Sequence, residues 1–108
     1  MKQITGAEFE TEVLGSKEPV LVDFYTDSCA PCRMMAPVLQ DLEKEANGAF
    51  KVIKIDAAVE AALAASFRVS GVPSFLAFAN GVCVGQTVGA KSKTNIKKWF
   101  EDSVRTAA

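Results

Sequence analysis

The chain contains no histidine, which removes the commonest metal-ligating and proton-shuttling side chain. Cysteine is scarce and odd in number, three in 108 residues. That count does not suit a disulfide-framework domain. Structural zinc takes four ligands, and a close Cys pair with a solitary Cys83 cannot supply them, so no metal is expected. Charge of one sign is lacking too: thirteen acidic against twelve basic residues leave a formal charge of −1. Nucleic acid and anionic membrane surfaces favour a basic patch, and neither is expected as a partner. No apolar run approaches the length that spans a bilayer. The opening Met1-Lys2-Gln3-Ile4-Thr5-Gly6 has no apolar core and no cleavage site of an export signal, so a cytoplasmic address is expected. Repeats, low-complexity tracts and linkers are absent, which reads as a single domain over 1–108. Apolar residues make up 49% of the chain, enough for one buried core.

What the chain does have is Cys29-Ala30-Pro31-Cys32. The apolar run Val20-Leu21-Val22-Asp23-Phe24-Tyr25 lies just ahead of it, and a long amphipathic segment to Ala46 follows. A helix starting at or just after Cys29 puts that sulfur at its N-terminus. Free backbone N–H groups and the positive end of the helix dipole favour an anion there, and the thiolate is the nucleophile in disulfide exchange. Pro31 suits a first turn, where its missing N–H costs nothing. Cys32 lies one turn further in. The bland alternatives are an inert structural disulfide and a metal half-site. The expected reducing compartment disfavours the first, and the lack of further ligands disfavours the second.

The remaining pattern alternates. Residues 2–4 can start a short strand. Thr5 and Glu8 have capping-box spacing ahead of Phe9 and Val13, which share one helix face, and 15–19 break that helix. Residues 20–25 suit a strand covered on both faces. Met35, Val38, Leu39, Leu42 and Ala46 fall on one helical stripe, with Pro37 inside it and Asn47-Gly48 ending it. Residues 52–55 read as a strand, and Val59, Leu63 and Phe67 as one face of a short helix. Residues 74–79 and 82–88 flank Asn80-Gly81, a hairpin signal. Ile96, Trp99, Phe100 and Val104 mark a last helix, with Trp99 and Phe100 as packing residues. The order βαβαβα then ββα implies an α/β fold with a mixed sheet and helices on both faces.

In these elements the chain resembles the thioredoxin family over essentially its whole length. The matching residues are Val22-Asp23-Phe24, Cys29 to Met34, Ala36-Pro37, Ile55-Asp56, Gly71-Val72-Pro73, Asn80-Gly81 and Val88-Gly89-Ala90. The resemblance implies a thioredoxin fold, with a central mixed sheet of four to five strands flanked by four helices. It implies a cis bond at Val72-Pro73 beside the Cys pair, with Val72 offering its backbone to an extended substrate segment and Gly89 and Ala90 completing an apolar rim with Gly71. Asp23, on spacing alone, is as readily a solvated strand-end residue as a functional one. The resemblance tips it toward a buried proton acceptor and donor for Cys32.

The chain departs from the family pattern at Ser28, where a Trp is customary, and at Ala30, where a Gly is. Tyr25 replaces another Trp. These changes bear on partner choice and redox poise more than on the exchange itself. Val52 stands at the position of the lysine customary near the aspartate, and Lys54, two residues on, is on the same strand face and is a candidate substitute. Cys83 reads as a small buried hydrophobe, Arg33 as a solvated side chain, and Met34 as rim or core.

The expected activity is protein thiol–disulfide oxidoreduction of thioredoxin type. Cys29 is the nucleophile and Cys32 the resolving thiol. No bound cofactor is expected. Disulfide-containing proteins and an NADPH- and flavin-dependent thioredoxin reductase are the implied partners, and the protein is expected to be a monomer. Two other readings stand beside this one. A disulfide donor or isomerase is the first, although Ala30-Pro31 offers no histidine to stabilise a thiolate. A redox-independent binding module on the same fold is the second.

Overall fold

A strand with almost no polar residue needs cover on both faces, and residues 20–25 receive it. The structure is a computed structural model and describes residues 1–107. Its strands are β1 (Lys2–Gln3), β2 (Val20–Tyr25), β3 (Lys51–Asp56), β4 (Ser74–Ala79) and β5 (Val82–Val88). They form one sheet in the order β1-β3-β2-β4-β5, so β2 is central. β1, β3 and β2 run parallel, β4 runs antiparallel to β2, and β5 antiparallel to β4. The α-helices are α1 (Ala30–Ala46), α2 (Ala61–Ser66) and α3 (Lys93–Thr106). The mixed, helix-flanked α/β sheet expected from the sequence is present, with five strands.

Alternation along β2 divides the core. Val20, Val22 and Phe24 face one layer with Phe9, Val13, Ala64 and Phe78. Leu21 faces the other, with Met35, Leu39 and Leu42 of α1 and Ile96 and Phe100 of α3. By the strand period of two, Asp23 and Tyr25 point to the α1 side with Leu21.

Local chemistry sets most boundaries. Asn47 takes the left-handed conformation (φ 49°) and ends α1. Asn80 and Gly81 carry φ of 53° and 78°, the type I′ pair that suits a two-residue hairpin. The register then slips between Ala77 and Phe78, leaving Val84 as the extra residue on β5. Ser92 caps α3, its hydroxyl accepting from the Asn95 N–H at 3.1 Å.

Two expectations need correction. The helix after Thr5 is not an α-helix. The Glu8 carboxylate does accept from the Thr5 N–H (3.0 Å) and hydroxyl (3.2 Å), but Gly6–Glu8 is a 3-10 turn and Glu10–Leu14 is π-helical. Gly15 N–H reaches back to the Glu10 carbonyl at 2.8 Å, and a Cβ at Gly15 would lie 3.0 Å from the Thr11 carbonyl oxygen. The missing side chain permits that wide closure, and Phe9 and Val13 are both buried. Val59 is the second correction. It lies outside α2 and is 74% exposed, because the Asp56 carboxylate accepts the N–H groups of Ala58 and Val59 at 2.9 and 3.1 Å and holds a turn there. Leu63 and Phe67 do pack on the core.

Candidate active site

β2 hands the chain to α1 through Thr26, Asp27 and Ser28. Cys29 is the N-cap of α1, with extended backbone (φ −89°, ψ 106°). Its Sγ accepts the Cys32 N–H at 3.1 Å, so the sulfur takes the place that a serine or aspartate oxygen takes in a common cap. The Cys29 N–H donates to the Thr26 carbonyl at 3.3 Å, and the Cys29 carbonyl accepts from Arg33 at 3.2 Å, opening the helix. Pro31 sits in the first turn. Cys29 and Cys32 are joined in a disulfide with Cα atoms 5.2 Å apart. Cys29 is half-buried, whereas Cys32 is only 5% exposed. The geometry makes Cys29 the thiol within reach of a second molecule and Cys32 the sheltered one.

Beneath the pair lies a buried carboxyl. Asp23 is 3% exposed, and its Oδ1 has no hydrogen-bond partner among the described residues. Burial pushes its pKa up from 3.8 to about 7, and the Lys54 charge opposes the rise. Lys54 is the register partner of Asp23 across the β2–β3 ladder. A cavity of about 180 Å³ is lined by Asp23, Cys32, Tyr25, Thr26 and Lys54. The structure thus brings Asp23 and Cys32 to one shared space.

A second set of residues lies in the loops before β4 and after β5. The Val72–Pro73 bond is cis, and Pro73 is buried while Gly71 and Val72 are partly exposed. Gly89 N–H donates to the Pro73 carbonyl at 2.8 Å. Lys91 N–H donates to Met35 Sδ at 3.4 Å, and Met35 is one turn beyond Cys32. Ser28, Ala30, Pro31 and Ala90 are exposed. Met34 (72%) and Val88 (60%) are exposed large apolar residues, so Met34 is surface, not core. Arg33 is exposed as expected and donates to the Asp27 carbonyl at 2.8 Å.

Sequence reasoning missed Thr26, whose carbonyl anchors Cys29 and whose side lines the cavity with Asp23. Its position between strand end and Cys pair was the available signal. Met35 was read only as a core residue. Cys83 is half-buried on β5 against the core, and its Sγ–H donates to the Gly85 carbonyl at 3.5 Å. Burial raises its pKa, consistent with an inert thiol.

Residues 1–102 match the family model described as Thioredoxin. The thioredoxin of Mycolicibacterium smegmatis is 41% identical over 103 residues, 94% of this chain and 92% of its own. Thioredoxin 1 of a Nostoc species is 36% identical over 99 residues, 92% of each chain. A bifunctional thioredoxin reductase/thioredoxin of Mycobacterium leprae is 37% identical over 102 residues, which make up 94% of this chain and 22% of that protein.

Proposed function

Because this chain belongs to the thioredoxin family and is a thiol–disulfide oxidoreductase of that type, we propose that Cys29 is its nucleophile, Cys32 its resolving thiol and Asp23 its proton acceptor and donor. In the reduced protein the Cys29 thiolate attacks one sulfur of a partner disulfide. A Cys29–partner disulfide forms, and the other partner sulfur leaves as a thiolate and takes a proton. Cys32 gives its proton to the Asp23 carboxylate across the shared cavity. The Cys32 thiolate then attacks Cys29 Sγ, the Cys29–partner bond breaks, and the partner sulfur it held leaves as a thiolate and takes a proton. The partner departs as a dithiol, two electrons richer, and this protein keeps the Cys29–Cys32 disulfide.

The arrangement that carries this reading is the Cys29 sulfur on the helix N-terminus, with Cys32 and Asp23 behind it on one cavity. A group with a pKa of about 7 exists in both forms at neutral pH, so it can accept and return a proton. Substrate segments dock on the backbone of Gly71, Val72 and Pro73 by strand addition, with Ser28, Ala30, Pro31, Gly89 and Ala90 around them. A thioredoxin reductase using NADPH and flavin re-reduces the pair. The Mycobacterium leprae relative, whose name joins both activities, supports that partner. The protein acts as one cytoplasmic domain, as a monomer, and holds no cofactor of its own.

Reduction of insulin by dithiothreitol tests the reading. The intact protein should accelerate it and Cys29→Ser should not, and reduced Cys32→Ser mixed with insulin after the dithiothreitol is removed should accumulate a mixed disulfide with the substrate. Equal rates for the intact protein and Cys29→Ser would overturn the assignment.

A further inference from the structure

The loop from β5 to α3 is tied down along its length. Gly89 N–H is held by the Pro73 carbonyl, and Ser92 is held as the cap of α3. Between them, Lys91 N–H is held by the thioether of Met35, a contact between residues 56 apart in sequence. Met35 is 2% exposed and belongs to the core layer that Leu39 of α1, Phe75 of β4 and Ile96 of α3 share. A backbone N–H drawn away from water needs an acceptor. A thioether is a weak one, and its unbranched chain adapts to an irregular gap. Leucine would fill nearly the same volume but could accept nothing.

The same helix therefore carries the Cys pair at its first turn and, one turn on, the sulfur that holds the loop. On the proposed reading of the site, Gly89 and Ala90 belong to the docking rim. Resting on that reading, we infer that Met35 is a positioning residue: its sulfur fixes the 89–91 loop against α1 and so sets the rim for a protein substrate, leaving the exchange chemistry of the pair untouched. A protein disulfide has to meet Cys29 and the rim together. A small disulfide has to meet only Cys29. Loss of the tie should therefore separate the two kinds of substrate.

The test compares Met35→Leu with the intact protein. The KM for insulin should rise about three- to tenfold, as expected for one lost hydrogen bond, with kcat unchanged. The rate with a small aromatic disulfide and the midpoint potential against glutathione should not move. The Lys91 amide should exchange with deuterium at least about tenfold faster, while the amides of Leu39 and Leu42 keep their protection. Norleucine in place of methionine is isosteric and lacks sulfur. It should raise KM in the natural sequence and add nothing in the Met35→Leu protein, which guards against a packing defect in the leucine variant. An unchanged KM, an equally protected Lys91 amide, or a matching loss with the small disulfide would overturn the inference. Insulin left untouched by the intact protein sinks the reading of the site and the docking role with it. Insulin turned over equally well with and without the sulfur sinks this inference alone.

Discussion

Asp23 and Lys54 are register partners on adjacent parallel strands, yet the Lys54 ammonium lies 5.3 Å from the centroid of the Tyr25 ring, and Asp23 Oδ1 has no hydrogen-bond partner among the described residues. The ammonium shares itself between a ring face, which attracts cations, and the cavity that holds the carboxyl. Desolvation dominates at Asp23, and Lys54 only moderates it. Removing the positive charge should let desolvation act unopposed. In Lys54→Met the Asp23 midpoint should move up by roughly 0.5–1 pH unit, read from the carboxyl carbon by NMR titration. A midpoint that stays put would show that Lys54 is electrically remote from Asp23.

The elevated pKa is also a statement about stability. Below about pH 4 the carboxyl is protonated in both folded and unfolded chains, and Asp23 has no effect. From about pH 4 to 7 the unfolded chain ionises while the folded one keeps its proton, so the folded state binds more protons and stability falls as pH rises. Above about pH 7 the folded state carries a buried charge at full cost, on the order of 4 kcal/mol at about 1.4 kcal/mol per tenfold. Asp23→Asn should therefore match the intact protein near pH 4 and exceed it by roughly 2–4 kcal/mol at pH 8. Urea melts at the two values decide it, and an advantage independent of pH would refute the buried titration.

The same substitution should harm the second half of the exchange. Without a carboxylate to take the Cys32 proton, resolution of a preformed mixed disulfide at Cys29 should slow by about a hundredfold at pH 7, the lower end of what general base catalysis contributes. The gap should close as pH rises toward the ordinary thiol range, where hydroxide does the same work. Stopped-flow release of a labelled partner gives both rates. A constant ratio across pH would remove Asp23 from the proton path.

Much of this was legible because it is local. A cysteine at an N-cap, a proline in the first turn, Asn47 closing α1 and Asn80-Gly81 turning a hairpin each express chemistry within a few residues. The strand period put Val52 and Lys54 on one face of their strand, but only the pairing of β2 with β3 sets Lys54 opposite Asp23. The widened turn at Glu10–Leu14 was not legible, since it depends on how closely Gly15 approaches the Thr11 carbonyl. The alanine-rich stretch after Asp56 looked helical from Val59, but a carboxylate hydrogen-bonded forward delayed the helix to Ala61. Met35 shows the limit most clearly. Periodicity reports which side of α1 is buried, and nothing in it tells that the sulfur meets a backbone N–H 56 residues further along the chain.

The core opposite the Cys pair turns on Phe78. Its ring lies 5.6 Å from Phe9 and 5.5 Å from Phe67, centroid to centroid and nearly edge-on to both. Such contacts add to the burial of a side chain that is 2% exposed. Phe78→Ala should cost about 3–5 kcal/mol, whereas Phe78→Leu, which keeps most of the volume, should cost about half as much. The urea midpoint should fall with an unchanged slope, and the remaining folded protein should keep its insulin activity. A loss below about 1 kcal/mol for the alanine variant would mean that the three rings are not a cooperative unit.

The three thiols should separate by rate. In the reduced protein Cys29 sits where unpaired N–H groups and the helix dipole stabilise an anion, and it is within reach of solvent. Cys32 is 5% exposed, and burial holds the Cys83 thiol above its usual pKa. At pH 7 only a few per cent of an ordinary thiol with a pKa of about 8.5 is ionised. A Cys29 held largely as thiolate gains more than tenfold in reactive form, and part of that gain is returned because a less basic sulfur is a weaker nucleophile. Iodoacetamide should therefore label Cys29 about three- to tenfold faster than free cysteine, with Cys32 and Cys83 far behind, as peptide mass mapping over time would show. High salt should narrow the lead only slightly, because a dipole acting within one helical turn is poorly screened at a partly buried sulfur. Labelling of Cys29 at the pace of free cysteine would mean that the N-terminus of α1 does not activate it, and electron transfer through this pair would lose its first step.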